Sequence, residues 1–341
     1  MTSNTGSKPT SSASASSSRS GRFERADAVF RNWVTRDGRP GPAGQGGFKA
    51  EAGRYHLYVS LACPWAHRAL IMRRLKGLES VIGLSVVHWH LERPQGWSFE
   101  PGPGVVPDPV LNAPLLSALY FAAQPSYDGR YTVPVLWDRQ QGTIVSNESA
   151  DIIVMLNEAF EDVRASAPRS SYADSRLEAF AGHDFYPSDL REDMDALNAQ
   201  VYDTVNNGVY KAGFAKAQDA YEEAVMPLFA TLDDLDHRLA SRRYLMGQSI
   251  TLADVRLFTT LVRFDAVYFG HFKCNLRRIA DYANLSGYLR DLYQTPGFGE
   301  TVDFQHIKRH YYGSMVEINP SGVVPLGPIL ALDAPHGREG Q

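Results

Sequence analysis

Tyr55-His56-Leu57-Tyr58-Val59-Ser60-Leu61-Ala62-Cys63-Pro64-Trp65-Ala66-His67-Arg68 reads as a short strand, a tight loop and the first turn of a helix. Leu57 and Val59 alternate with polar or aromatic residues, the period of a strand. Pro64 suits a first helical turn, where its missing N–H would have had no intrahelical partner. Cys63 then stands at a helix N-terminus, facing free backbone N–H groups and the positive end of the helix dipole. Both favour a thiolate. A lone cysteine is more often a buried structural residue. The Cys-Pro-Trp turn, with His67 and Arg68 close by, argues for a nucleophile.

The flanking chain supplies a frame for that turn. Pro64–Leu75 has Ala66, Ala69, Leu70 and Leu75 on one helical face and Gly77 as its stop. Val81–Trp89 reads as a second strand, so the spacing predicts a βαβ unit with parallel strands. Thr132–Asp138 and Thr143–Ser146 read as two further strands and Ser149–Phe160 as a helix. This completes a thioredoxin-like βαβ-ββα order. Pro134 falls at the start of a strand that should be central, where proline is normally excluded. A cis Val133-Pro134 bond would account for it. Between the two halves, Leu91–Tyr131 is a long insertion with seven prolines and one short helical piece at Leu115–Ala123. Trp97 and Phe99 within it argue for order, since aromatic rings of that size want a surface to cover.

Upstream, Phe23–Gly47 reads as an arm lying over a domain. Downstream of Ala165 the pattern is helical: Ala173–Ala181, Leu190–Gly208, Lys216–Ala240, Leu252–Phe269 and Leu285–Leu292. Thr251-Leu252-Ala253-Asp254 is a capping box. Pro320–Gln341 is Pro/Gly-rich and is expected on the surface. The predicted division is a tail (1–22), a thioredoxin-like domain with its arm and inserted loop (23–165), a helical domain (166–328) and a C-terminal tail (329–341).

Composition narrows the functional classes. The chain has 341 residues, 44% hydrophobic, with a formal net charge of −4, which offers no electrostatic case for nucleic acid or a membrane surface. No apolar run approaches the roughly 18 residues of a spanning helix. Cys63 and Cys274, far apart and differently set, exclude a disulfide framework and suit a reducing compartment. Met1–Gly21, nearly all Ser, Thr, Ala and Gly, cannot bury enough apolar area to fold. The reading is a disordered tail; Lys8 and Arg19 without an acid keep a targeting peptide open.

Cys63-Pro64-Trp65-Ala66-His67-Arg68, the Val133-Pro134 pair, Asn147-Glu148-Ser149 opening a helix, and an all-helical second half together resemble a glutathione transferase. Asn206-Asn207-Gly208-Val209-Tyr210, Arg263-Phe264-Asp265-Ala266-Val267-Tyr268, His271-Phe272-Lys273-Cys274-Asn275 and His306-Ile307-Lys308-Arg309-His310-Tyr311-Tyr312 make the chain similar to the glutathionyl-hydroquinone reductases, the xi class, from about Phe48 to Pro328. The resemblance implies a thioredoxin-like domain followed by a helical bundle, glutathione as co-substrate and no metal. It also implies a homodimer; the expected location is the cytoplasm, with a mitochondrial site as the alternative.

No cysteine follows at Trp65 or Ala66, so a resolving thiol must come from outside, which points to monothiol chemistry with glutathione. By resemblance Glu148 and Ser149 hold the γ-glutamyl end of glutathione; as plain residues they would cap the helix. Val133 would offer its backbone to the cysteinyl part. Trp97 and Arg130 are further contacts by resemblance, against loop packing and a surface charge as ordinary readings. Tyr210, Tyr268 and Tyr312 by resemblance line an aromatic pocket and donate hydrogen bonds to a substrate oxygen, although aromatics in helical domains are usually core. Cys274 reads as structural, and the histidines show no metal-ligand spacing. Met315 replaces a histidine of many relatives, and Glu100–Pro109 is rich in Pro and Gly; both bear on substrate preference. The expected reaction is reduction of S-glutathionyl-hydroquinones through a Cys63–glutathione mixed disulfide. An omega-like thiol transferase, acting on dehydroascorbate or glutathionylated proteins, and a non-catalytic binder of glutathione and hydrophobic ligands remain open.

Overall fold

The computed structural model describes residues 21–167 and 175–340. Of the tail expected at 1–22, residues 1–20 lie outside the described residues, as does the start of the helix expected at Ala173, while Gly21 and Arg22 are bonded to the helical half.

A four-stranded sheet carries the first half. Strands β1 (Tyr55–Val59), β2 (Gly83–Val86), β5 (Val135–Asp138) and β6 (Thr143–Ser146) lie in the order β2-β1-β5-β6. β1 pairs parallel with β2, with Leu57 opposite Leu84, and antiparallel with β5, with Leu57 opposite Leu136. The crossover between β1 and β2 is α1 (Pro64–Leu75), ended by Lys76 and by Gly77 at φ +62°, a left-handed position that glycine takes without strain. After β6, α3 (Ser149–Glu158) packs beside α1. This is the expected thioredoxin-like order; the second strand is shorter than the expected Val81–Trp89, since Val81 and Ile82 donate their N–H groups to the Leu78 carbonyl in a turn instead of the ladder. The Val133-Pro134 bond is cis.

The proline-rich insertion differs from expectation. It holds a small hairpin, β3 (Leu91–Glu92) with β4 (Gly96–Trp97), as well as α2 (Ser117–Ala123). Its organiser is the buried carboxylate of Asp108, which accepts hydrogen bonds from the Tyr58 hydroxyl (2.7 Å) and from the backbone N–H of Val110, Leu111 and Ala113. One side chain thus satisfies several backbone donors that a loop without ladder partners would leave unpaired.

The second half is helical: α4 (Glu161–Ser166), α5 (Glu178–Ala181), α6 (Arg191–Val201), α7 (Gly208–Gly213), α8 (Gln218–Arg238), α9 (Leu252–Arg263), α10 (Leu285–Gln294) and α11 (Phe304–Ser314). Thr251 and Asp254 form the expected capping box at α9, and the buried Asp254 also accepts from the Tyr288 hydroxyl and the Leu245 N–H. Two features escape the sequence pattern. The segments expected as continuous helices, Leu190–Gly208 and Leu252–Phe269, each contain a π-helical turn, at Tyr202–Asn206 and Phe264–Tyr268. α11 also lies where no helix was expected. Such π-turns carry i→i+5 hydrogen bonds and leave little trace in a 3.6-residue hydrophobic period. The C-terminal segment keeps Leu326 and Ile329 fully exposed but returns to the fold: the nearly buried Arg338 donates to the carbonyls of Leu239, Arg242 and Arg243. Among the described residues no helix is long and apolar enough to cross a membrane.

Candidate active site

Cys63 occupies the N-cap of α1, with extended backbone (φ −79°, ψ 121°). Its carbonyl accepts from the His67 N–H, closing the first turn. Its sulfur approaches the carbonyl of Val133, across the cis-proline loop, at 3.7 Å. Burial pushes the thiol up. The N–H groups of Ala66 and Trp65 and the guanidiniums of Arg263 and Arg25 oppose that push. The helix terminus expected to favour a thiolate is therefore present, but working against desolvation.

His67 and Arg68, expected as activating neighbours, turn inward instead, as their buried positions on α1 require. His67 Nδ1 accepts from Arg263, so Nε2 carries the proton and donates to the Thr301 hydroxyl at 2.8 Å, which itself donates to the Phe298 carbonyl. Burial and the Arg263 charge drive the His67 pKa well down, so the ring is neutral. With both nitrogens committed, it is not a base for Cys63. Arg68 lies against the Trp65 ring, bonds Asn206 Oδ1 at 2.9 Å and reaches Ser149 Oγ at 3.5 Å.

Arg263, fully buried at the end of α9, fixes the cysteine loop. It donates to the carbonyls of Ala62 (2.9 Å), Leu61 (3.0 Å) and Thr259 (2.7 Å) as well as to His67. The helical half therefore holds the turn that precedes Cys63 through main-chain bonds. This link lies some 200 positions apart in sequence, so local pattern could not reveal it.

Beside the cysteine opens a cavity of about 350 Å³, whose lining includes Arg25, Trp65, Arg130, Val133, Glu148 and Ser149. Glu148 is the N-cap of α3, its carboxylate accepting from the Ala150 N–H at 2.9 Å. Arg130, partly buried, has no carboxylate partner among the described residues, and burial lowers its pKa. Thus four candidates from the sequence, Arg130, Val133, Glu148 and Ser149, share one wall system next to Cys63. Trp97 does not join them. The β3–β4 hairpin turns it inward, where it is buried and stacked on His310 (centroids 4.9 Å apart, planes at 30°).

The tyrosines form a second cluster. Tyr210 and Tyr311 hydroxyls are 2.6 Å apart, and Tyr268 and Tyr311 hydroxyls 3.0 Å. The third member is thus Tyr311, not Tyr312. Consecutive residues on a helix point about 100° apart; Tyr311 points at the Tyr210 and Tyr268 hydroxyls, while Tyr312 meets the main chain of the second π-turn, donating to the Ala266 carbonyl at 3.3 Å, and lies against His271. Three phenolic protons serve two internal contacts, which leaves one O–H uncommitted within the cluster. Tyr268 and Tyr311 are 0% and 1% exposed and Tyr210 8%, so that proton can reach a ligand only through Tyr210. Tyr210 also stacks near Trp65, and so borders the cavity wall. Burial raises the pKa of all three, keeping them protonated donors. Among the described residues no cluster of His, Cys, Asp or Glu could hold a metal.

Comparison with known proteins agrees with this geometry. Residues 62–159 match the family model described as "Glutathione S-transferase, N-terminal domain" and residues 218–291 the one described as "Glutathione S-transferase, C-terminal domain". The chain is 54% identical over 320 residues to glutathionyl-hydroquinone reductase YqjG of Escherichia coli K12, covering 94% of this chain and 93% of that one. It is 48% identical to glutathionyl-hydroquinone reductase PcpF of Sphingobium chlorophenolicum, covering 92% and 91%. The glutathione-bound structure of YqjG superposes with a TM-score of 0.85 over 92% of this chain and 96% of that one. The glutathione S-transferase Xi of Phanerochaete chrysosporium, 51% identical, superposes with a TM-score of 0.82, covering 90% and 98%.

Proposed function

The chain belongs to the glutathione transferase family, in its glutathionyl-hydroquinone reductase (xi) class, and from that premise we propose that it reduces S-glutathionyl-hydroquinones to hydroquinones at the expense of glutathione. The observation that carries this reading is the junction of two sites at one sulfur. A charged cavity suited to glutathione lies beside Cys63, and a phenol cluster suited to an aromatic ring reaches its wall through Tyr210, which lies against Trp65.

The cavity matches the charges of glutathione. Glu148 pairs with the γ-glutamyl ammonium. Ser149 and the N-terminus of α3 receive its carboxylate. Val133 offers main-chain hydrogen bonds to the cysteinyl part, and Arg130 the counter-charge for the glycine carboxylate.

In the first step the Cys63 thiolate attacks the glutathione sulfur of the substrate. The S–S bond forms as the aryl C–S bond breaks, and the ring carbon takes the electron pair and then a proton. Tyr210, backed by Tyr311 and Tyr268, donates to the ring oxygen, where negative charge develops. In the second step the thiolate of another glutathione attacks the glutathione sulfur of the mixed disulfide. Glutathione disulfide leaves and the Cys63 thiolate is restored. Two glutathionyl sulfurs are oxidised and one aromatic carbon is reduced, so the electrons balance.

The test is to follow purified protein with glutathionyl-hydroquinone and glutathione. Hydroquinone and glutathione disulfide should appear in equal amounts. No turnover, or unchanged turnover in Cys63→Ser, refutes the reading. The same family reading makes the protein a cytoplasmic homodimer of two-domain chains divided near residue 165, which light scattering, cell fractionation and limited proteolysis check.

A further inference from the structure

The N-terminal arm precedes both segments matched by the family models, yet it crosses the mouth of the site. Its start is tied to the helical half. Arg22 forms a two-point pair with Glu223 on α8 (2.9 and 2.7 Å), the Gly21 carbonyl accepts from the Lys216 N–H, and Phe23 stacks on Phe214 at 5.4 Å. Further on it is tied to the sheet half. Arg31 forms a two-point pair with Asp151 on α3 (2.6 and 2.8 Å), and the Asn32 N–H donates to the Val145 carbonyl.

Between these anchors lies Arg25. Its guanidinium carbon is 4.6 Å from the Trp65 ring centroid and 5.1 Å from that of Tyr210, and Nε donates to Asn207 Oδ1 at 3.0 Å. It lines the cavity and has no carboxylate partner among the described residues. A guanidinium stacked on two rings keeps its edge donors available, here those other than the Nε bonded to Asn207. It is also surplus to the charge count of glutathione, whose two carboxylates are already met by the α3 N-terminus and Arg130. The remaining anion at this junction is the sulfur.

We propose that Arg25 is a positioning residue for the reactive sulfur: held flat over Trp65 and Tyr210 by the arm, it adds positive charge at Cys63 from the cavity side, while the buried Arg263 adds it from the core. This rests on reading Cys63 as the nucleophile. The groups facing Cys63 are few. From its own helix come Arg68, engaged with Asn206, and the neutral His67. From α7 comes the protonated Tyr210, from α9 Arg263, and from the arm Arg25. Arg263 is locked by four hydrogen bonds and acts also as a structural clamp. Arg25 is half-exposed and can be changed without opening the core.

The experiment is the pH profile of Cys63 alkylation by iodoacetamide, followed by mass spectrometry in the full-length protein, for wild type, Arg25→Gln, Arg25→Met and Arg25→Lys. A charge several ångströms away in a partly wetted site moves a titration by about half a unit to one unit. The midpoint should therefore rise by about that much in the Gln and Met variants and by less than half of it in the Lys variant. Thermal melting confirms that each variant is folded. Coincident profiles in wild type and both neutral variants overturn the proposal and leave Arg25 as packing. So does a Lys variant that shifts as far as Gln. Alkylation needs no substrate, so the result stands apart from turnover: failure of the hydroquinone assay would leave it readable.

Discussion

Cys63 and Cys274 are the same side chain in opposite settings. Cys63 caps α1, is half-buried, and has two helix N–H groups bonding its sulfur and the charges of two guanidiniums acting on it. Cys274 is fully buried, its sulfur approaching the Phe272 carbonyl at 3.8 Å, and burial pushes its thiol far up with Lys273 alone in opposition. Burial disfavours the thiolate at both. What separates them is the polar framework brought to the sulfur, and at Cys63 that framework is assembled from the arm, the cis-proline loop and α9 as well as from the local turn.

Removing the sulfur should separate the two cysteines most severely. Cys63→Ser should lower turnover of glutathionyl-hydroquinone at least ~1,000-fold, since the nucleophile acts as a unit with its surroundings, whereas Cys274→Ala should keep turnover within about twofold. Next comes the phenol cluster. Tyr311→Phe should lower kcat about 100-fold by cutting the relay behind Tyr210, and Tyr312→Phe only about threefold. Equal losses would return Tyr312 to the site. Glu148→Gln should raise KM for glutathione about tenfold with little change in kcat, the expected cost of one charge-assisted hydrogen bond. The smallest effect is on stability: Cys274→Ala should cost on the order of 1 kcal/mol in urea unfolding, through lost packing alone.

The pH dependence sharpens the same contrast. Only the thiolate reacts, so Cys63 alkylation should rise with pH through its folded pKa and level off above it. Cys274 should stay unmodified in native protein over the same range, because burial raises its thiol and no solvent reaches it.

What could be read from the sequence follows a physical division. The Cys63-Pro64 turn, the Val133-Pro134 bond, the Gly77 stop and the Thr251–Asp254 capping box are local devices, written in a few adjacent residues. So are Glu148 and Ser149, which sit together at one helix end. The features that escaped depend on distance or on helical phase. Arg263 meets its carbonyls far along the chain. Tyr311 and Tyr312 are neighbours, and only the rotation of α11 decides which faces inward. The π-turns have no hydrophobic period of their own. Trp97 left the expected cavity because a two-residue hairpin, invisible among the prolines, turned it toward His310. Arg25 lay in a stretch legible only as an arm.

The central claim is that Cys63 carries a glutathionyl group between an aromatic ring and a second glutathione. Intact-protein mass spectrometry after one equivalent of glutathionyl-hydroquinone, with no free glutathione, tests it most directly. The account predicts one glutathionyl adduct mapped to Cys63, formed together with free hydroquinone and removed by fresh glutathione. An unmodified protein that still releases hydroquinone, or an adduct mapped to Cys274, would contradict it.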